Sequence, residues 1–434
     1  MQQPTSTQEP IALGPEDRAI LDLECRTIAG HTCKVVRLAP EAGPPIDGER
    51  LRERVAERIT LAPALTRKLG GSARAPAWVS DESFDLAEHV REAEVAEPLD
   101  RAGLLALVAR LFEQRLDRSR PLWRIDTVAL QGGARALIWR IHHALADGTA
   151  SVRYARSLLW DETPETAALT PAQVHAAHAA DEARRRQHLA AFIRREYARG
   201  ECRSPFDGEI GTRREVAFAV VPLHELHDAA RTLEGATVND AVLAIVAGAV
   251  GRWVRLRHGE LGTIRLRVPV SLHREGDLVA NHDSFFSVGL PLNEPDPVAR
   301  LRLAHLGAGE RKLDQDAQYR EHLLRELSGV PPLEHFVTRI ERNPRRFALS
   351  VSNVPGPRRP VSVLGAPVTG LHSLAEIGER HALRVSAMSL AGQLCFGLCA
   401  DPHLVDRLPL MAEGIEAEAQ MLLDAAGRAG SPAG

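Results

Sequence analysis

Apolar and polar positions alternate along two long stretches of the chain, separated by an interval in which that order is lost. In the first stretch, residues 33–38 predict a strand and residues 47–59 a helix. Residues 100–116 predict a second helix, with Asp100 as its N-cap and Leu104, Leu105, Leu107, Val108 and Leu111 as the stripe that packs on a sheet. A strand over 124–130 follows. In the second stretch, strands are predicted at 214–221, 264–270, 284–290 and 347–351, and helices at 237–253, 298–325 and 404–425. Residues 382–390 and 393–398 predict a closing hairpin. Strands mixed with helices in both stretches predict an α/β protein.

The run 136–150 stands apart: Ala-Leu-Ile-Trp-Arg-Ile-His-His-Ala-Leu-Ala-Asp-Gly-Thr-Ala. It predicts a buried strand feeding a loop able to carry chemistry. Successive strand side chains point to opposite faces, so His143 shares a face with Leu137, Trp139 and Ile141, and His142 shares the other with Ile138 and Arg140. The two histidines are therefore expected to divide the work. One projects into a cavity as a general base; the other is held in the core by a hydrogen bond. Asp147 follows after a tight turn, with Gly148 supplying backbone freedom before a helix near Thr149. A metal site is the rival reading, and it is set aside. Adjacent histidines diverge on an extended chain, and no third ligand stands at a usual zinc spacing.

Length adds that 434 residues exceed one ordinary core, so two or three domains are expected. A hydrophobic fraction of 44% and a charged fraction of 26% are those of a soluble globular protein, and a net charge of -3 argues against nucleic acid as a partner. The first ten residues lack a basic start and an apolar core, and no window of about 18 apolar residues occurs, so neither a signal peptide nor a membrane span is expected. Five scattered cysteines suit a reducing cytoplasm, with Cys395 and Cys399 in an apolar run taken as core packing.

The interval 161–203 is rich in Ala, Arg and His. Arg184, Arg185, Arg186, Arg194, Arg195 and Arg199 alternate with Leu189, Phe192 and Ile193. A helix there would be basic on one side and apolar on another, suited either to an anionic lipid surface or to a solvated crossover between domains. The crossover is preferred.

The stretch His142-His143-Ala144-Leu145-Ala146-Asp147-Gly148 resembles the HHxxxDG motif of the CoA-dependent acyltransferase superfamily, which includes chloramphenicol acetyltransferase, peptide-synthetase condensation domains and the bacterial wax ester synthase/diacylglycerol acyltransferases. Pro121-Leu122-Trp123 at its distance before the histidine pair is typical of the last branch, although a core anchor is the plainer role for that Trp. Three weaker matches stand in the same order. Residues 14–24 resemble the amino-terminal pattern, with Asp17 and Glu24 in place but Gly14 and Ile20 departing from it. Asn239-Asp240 matches the Asn-Asp motif, where a helix N-terminus alone would account for both residues. Ser352-Asn353-Val354-Pro355-Gly356-Pro357 matches a further pattern, read as a rigid turn.

The resemblance covers about residues 11 to 425. It implies two domains shaped like chloramphenicol acetyltransferase, with mixed sheets and a tunnel between them: 11–165, a crossover linker 166–212, and 213–426. It implies His143 as general base and His142 and Asp147 beside it, the aspartate mainly structural. Gly148, Asn239, Glu24, Ser352 and Asn353 are carried over as substrate-binding, and Pro121, Leu122, Trp123, Asp240, Pro355 and Gly356 as structural motif. The implied reaction moves a long-chain acyl group from acyl-CoA to diacylglycerol or a fatty alcohol, with no acyl-enzyme, no metal and no cofactor beyond acyl-CoA as co-substrate. The protein would be cytoplasmic, touching a membrane or lipid droplet peripherally. A condensation or polyketide-linked acyltransferase using a carrier-bound thioester is the alternative, and a non-catalytic lipid-binding relative the other.

Overall fold

The computed structural model describes residues 9–40, 43, 45–72, 75–162, 204–271, 283–313, 347–378 and 380–430. The elements run β1 (Ile11–Ala12), α1 (Pro15–Leu23), β2 (His31–Leu38), α2 (Gly48–Arg58), β3 (Arg67–Ser72), β4 (Ala75–Ser80), α3 (Leu86–His89), β5 (Val90–Glu92), α4 (Arg101–Phe112), β6 (Trp123–Ala129), β7 (Arg135–His142) and α5 (Gly148–Leu158). They continue with β8 (Glu215–Pro222), α6 (Leu223–Arg231), α7 (Val238–His258), β9 (Thr263–Ser271), β10 (Asp283–Pro291), α8 (Pro297–Leu313) and β11 (Leu349–Val354). The chain closes with β12 (Ser362–Val363), β13 (Ala366–Ala375), β14 (Leu383–Leu390), β15 (Gln393–Ala400) and α9 (Leu408–Gly430). It divides into two compact units.

The first unit takes the described residues up to Glu162 and then Gly356–Glu376. Its main sheet has the order β12-β13-β2-β7-β6-β5, antiparallel except for the β5–β6 pair. All eight residues of β7 are buried, because it lies inside the sheet with β2 on one side and β6 on the other. The predicted Asp100 cap forms, its side chain accepting from the Gly103 amide at the start of α4, and Asp47 caps α2 in the same way, accepting from the amides of Glu49 and Arg50. Each such cap contributes about 1 kcal/mol. A separate hairpin, β3–β4, with β1 on its outer edge, was not anticipated.

Residues 356–376, assigned from sequence to the C-terminal domain, return to the first unit. There β13 runs antiparallel to β2 from Val368↔Leu38 to Ala375↔Thr32, and Lys34 Nζ donates to Ser373 Oγ at 2.7 Å. Without it the buried strand β2 would be a bare sheet edge.

The second unit carries the sheet β10-β9-β11-β14-β15-β8, with parallel pairs at β9–β11 and β11–β14. The helix α7 is buried almost all round, from Asp240 to Gly251, as befits the central helix of a layer shared with α8 and α9. The cysteines Cys395 and Cys399 are buried in β15.

Several boundaries move. The α4 helix ends at Phe112 rather than 116, where Arg140 takes the Leu111 and Gln114 carbonyls. The final helix starts at Leu408, since residues 401–405 form a turn in which the Leu404 and Val405 amides bond the Asp401 carbonyl. Ser352, Asn353 and Val354 are not a turn: they belong to β11 and pair with Ser386–Met388 of β14, so the turn begins at Pro355. Residues 204–212, read as linker, lie in the second unit, where the Phe206 carbonyl accepts from the Ala382 amide and Asp401 accepts from Gly211. Arg184 to Arg199, the helix continuation past Leu313 and Cys202 lie outside the described residues.

Candidate active site

The site grows from the end of β7. The strand stops at His142, whose amide donates to the Leu122 carbonyl at 2.9 Å, so Leu122 fixes the strand end from β6's side. Immediately after, the His143 amide donates to the Gly30 carbonyl at 2.9 Å, and the Leu145 and Ala146 amides turn back to the His142 carbonyl at 2.9 and 3.2 Å. Asp147 then caps α5, its Oδ1 accepting from the Ala150 amide at 2.7 Å. The loop 143–146 is thereby held at its start by backbone bonds and followed at its end by the side-chain cap of Asp147. Asp147 is fully buried and does the work of a helix cap. Gly148 does not make the turn; it is the first residue of α5, and the turn precedes Asp147.

The histidines differ in burial, but only His142 lies on the strand expected to carry both; His143 is the first residue of the turn. The His142 ring is 1% exposed, while His143 is half-buried, with its Nδ1 edge inward. His142 Nδ1 accepts from the Ala144 amide at 3.2 Å, and its Nε2 lies 3.4 Å from Glu24 Oε2. Close packing explains Gly30. Its φ of 72° is in the left-handed region, and a Cβ there would come within 2.5 Å of His142 Nε2.

Glu24 ends α1 as its C-cap residue. Its Oε2 accepts from Arg118 Nε at 3.0 Å and Nη2 at 2.8 Å, and Arg115 Nε stands 3.6 Å from Oε1. Burial works to raise its pKa, but the contacts with His142 and Arg118 outweigh that and hold the carboxyl below the usual carboxylate range. Behind the site, on His142's face of the sheet, Arg140 Nη2 meets Asp126 Oδ2 at 2.9 Å in full burial, and Arg124 Nε meets Oδ1 at 2.9 Å. Neither Glu24–Arg118 nor Arg140–Asp126 was read from sequence. The residues stand far apart in the chain or on neighbouring strands, and only Arg140's face was foreseeable.

Trp123 takes the anchoring role. Its indole is buried, donates from Nε1 to the Leu65 carbonyl at 2.7 Å, and stacks on His89 at 4.7 Å between ring centroids. Burial pushes the His89 imidazole below its ordinary value, with the Trp123 carbonyl 2.8 Å from Nδ1 working the other way.

Glu24, Pro121, Leu122, Trp123, His142, His143, Asp147 and Gly148 all belong to the first unit. In the second, Thr237 and Asp240 form a capping box at the start of α7, and His305 Nδ1 lies 3.1 Å from Asp240 Oδ2. Asn239 is half-buried on the first turn of that helix. Ser352 Oγ lies 3.1 Å from Ser386 Oγ, and Asn353 is half-buried in β11. Pro355 is exposed where β11 ends, and Gly356 opens the return into the first unit.

Residues 13–195 match the family model described as the wax ester synthase/diacylglycerol acyltransferase catalytic domain, and residues 279–422 match that of the corresponding C-terminal domain. A Mycobacterium tuberculosis protein named as a probable diacylglycerol O-acyltransferase is 28% identical over 87% of this chain and 89% of its own. A second M. tuberculosis protein of the same name is 27% identical over 95% and 99%. Among solved structures, the wax ester synthase/diacylglycerol acyltransferase from Marinobacter aquaeolei VT8 superposes with a TM-score of 0.73 at 24% identity, over 96% of this chain and all of that one. The first condensation domain of the calcium-dependent antibiotic synthetase superposes at 0.62 and 16% identity, over 97% of both chains. Both likenesses show a shared fold of mixed sheets.

Proposed function

Because the chain belongs to the wax ester synthase/diacylglycerol acyltransferase family, we propose that it moves a long-chain acyl group from acyl-CoA to diacylglycerol or a fatty alcohol, with His143 as general base. It is an acyltransferase. An alcohol is a poor nucleophile near neutral pH, so its proton must leave as the new bond forms. His143 takes that proton while the alcohol oxygen attacks the thioester carbonyl carbon. The tetrahedral intermediate then collapses, the carbon–sulfur bond breaks, and the proton passes from His143 to the departing thiolate, leaving an ester and free CoA. An imidazole titrating near pH 6.5 suits both halves of this exchange.

The observation that carries the reading is the setting of His143: a half-buried imidazole at the end of a fully buried strand, on a loop pinned by Gly30 at one end and by the Asp147 cap at the other. Purified protein given palmitoyl-CoA is expected to release free CoA when hexadecanol or diacylglycerol is present, and little without acceptor. Release only from a phosphopantetheinyl carrier would replace this reading with the condensation-type one, and silence with every donor would leave a lipid-binding role.

No helix among the described residues is long and apolar enough to cross a membrane. With acceptors this greasy, we place the working enzyme in the cytoplasm, in peripheral contact with a membrane or lipid droplet. The protein is expected to pellet in part with anionic liposomes, and deletion of residues 184–199 to reduce the pelleted fraction; unchanged pelleting would move the contact elsewhere.

A further inference from the structure

We infer that Glu24 is a positioning residue for His143, acting through the imidazole of His142. This rests on the reading of His143 as the base. The Ala144 amide donates to His142 Nδ1, so that nitrogen carries no proton and the ring's N–H is at Nε2, a tautomer assigned from the bonding around it. That N–H faces Glu24 Oε2 at 3.4 Å. The ring is therefore a strut between a carboxylate and the backbone of the residue that follows the base.

Three features keep the strut in place. Glu24 cannot swing away, because Arg118 grips Oε2 with two donors and the carboxylate side chain is only 5% exposed. The ring cannot shift toward β2, because Gly30 lies against Nε2 with no room for a Cβ. The turn that joins Glu24 to Gly30 is itself tied, by paired backbone bonds between Cys25 and Ile28 and by the Ala29 amide donating to Glu376 Oε2 at 3.0 Å. Its last residue, Gly30, accepts the amide of His143. One short segment thus sets both the His142 ring and the His143 backbone.

Substrate binding, the role carried over to Glu24 from the sequence resemblance, fits this less well. One oxygen is engaged by Arg118 and His142, and the other faces Arg115. Removing the carboxylate leaves a buried Nε2–H facing no acceptor, and the ring then settles in a new position and takes the base loop with it. Displacements on the order of 1 Å in a catalytic group lower turnover about a hundredfold.

The test compares wild type, Glu24→Ala, Glu24→Gln and His143→Ala. Glu24→Ala is expected to lower kcat about 10- to 100-fold with KM for acyl-CoA and acceptor within about threefold. Glu24→Gln, which keeps an oxygen acceptor for Nε2–H, is expected to recover most of that loss. A raised KM at unchanged kcat would make Glu24 a substrate contact and overturn the inference, as would wild-type kinetics in Glu24→Ala. The imidazole N–H resonance of His142, assigned by its loss in His142→Gln, gives a readout independent of turnover. It is expected in wild type and Glu24→Gln and lost or moved in Glu24→Ala; an unmoved resonance sinks the inference. Full activity in His143→Ala would instead refute the base assignment, and the resonance would still decide the contact between Glu24 and His142.

Discussion

Replacing His143 with alanine is expected to lower acyl transfer by about two to four orders of magnitude, the usual contribution of a general base. The ring that is lost is half-buried, and what holds the loop is backbone and neighbour: the Gly30 carbonyl on the His143 amide and the Asp147 carboxylate on the Ala150 amide. Those bonds survive the substitution. Thermal unfolding of His143→Ala should therefore stay close to wild type, and the loss should appear in kcat rather than in folded yield. Glutamine keeps much of the volume and a donor but cannot shuttle a proton at neutral pH, so His143→Gln should be as inactive. Acceptor-dependent CoA release is the measurement, and retention of more than about a tenth of wild-type turnover in folded protein would remove His143 from the mechanism.

The largest effect on stability is expected at Asp126. Asp126→Ala leaves the Arg140 guanidinium, 2% exposed, without its carboxylate, and breaking a buried pair from one side costs about 3–5 kcal/mol. Arg124, the other cation on Asp126, is part-exposed and can turn to solvent. Arg140 still bonds the carbonyls at the end of α4, so the charge stays buried rather than escaping. Urea unfolding of the variant should shift to markedly lower denaturant. A paired replacement, Asp126→Leu with Arg140→Met, removes both charges and should regain much of the loss, because matched apolar groups avoid the cost of burying ions. A single variant as stable as wild type would show that water reaches Arg140.

Features that depend on near neighbours were legible in the chain. Asp100 stands just ahead of the apolar stripe of α4 and caps that helix as expected; Asp47 caps α2, and Thr237 with Asp240 caps α7, by the same local bonding. Alternation along 136–142 put His142 on one face with Ile138 and Arg140, but His143 lies past the end of β7, so its exposure comes from the turn and not from strand alternation. What could not be read depends on partners distant in the chain. Glu24 meets Arg118 across 94 positions, and Lys34 meets Ser373 across 339. Ser352-Asn353-Val354 looked like a turn because Pro355-Gly356-Pro357 follows, but ladder bonds with β14 hold it extended until the first proline. In β13, Gly370, His372 and Ser373 interrupt the apolar pattern, so nothing local announces a strand completed by its pairing with β2.

That return of β13 bears on how the molecule is made. Strand β2 is synthesised long before its partner, which lies 330 or more residues further along the chain, from Leu38↔Val368 onward. A nascent chain that has just released the histidine loop thus carries an open strand edge, a surface prone to pairing with other chains. Completion of the sheet around the base is a late event, after most of the second unit has been translated. A fragment that stops after the first unit's helices would contain every residue of the histidine motif and still lack the strand that closes its sheet.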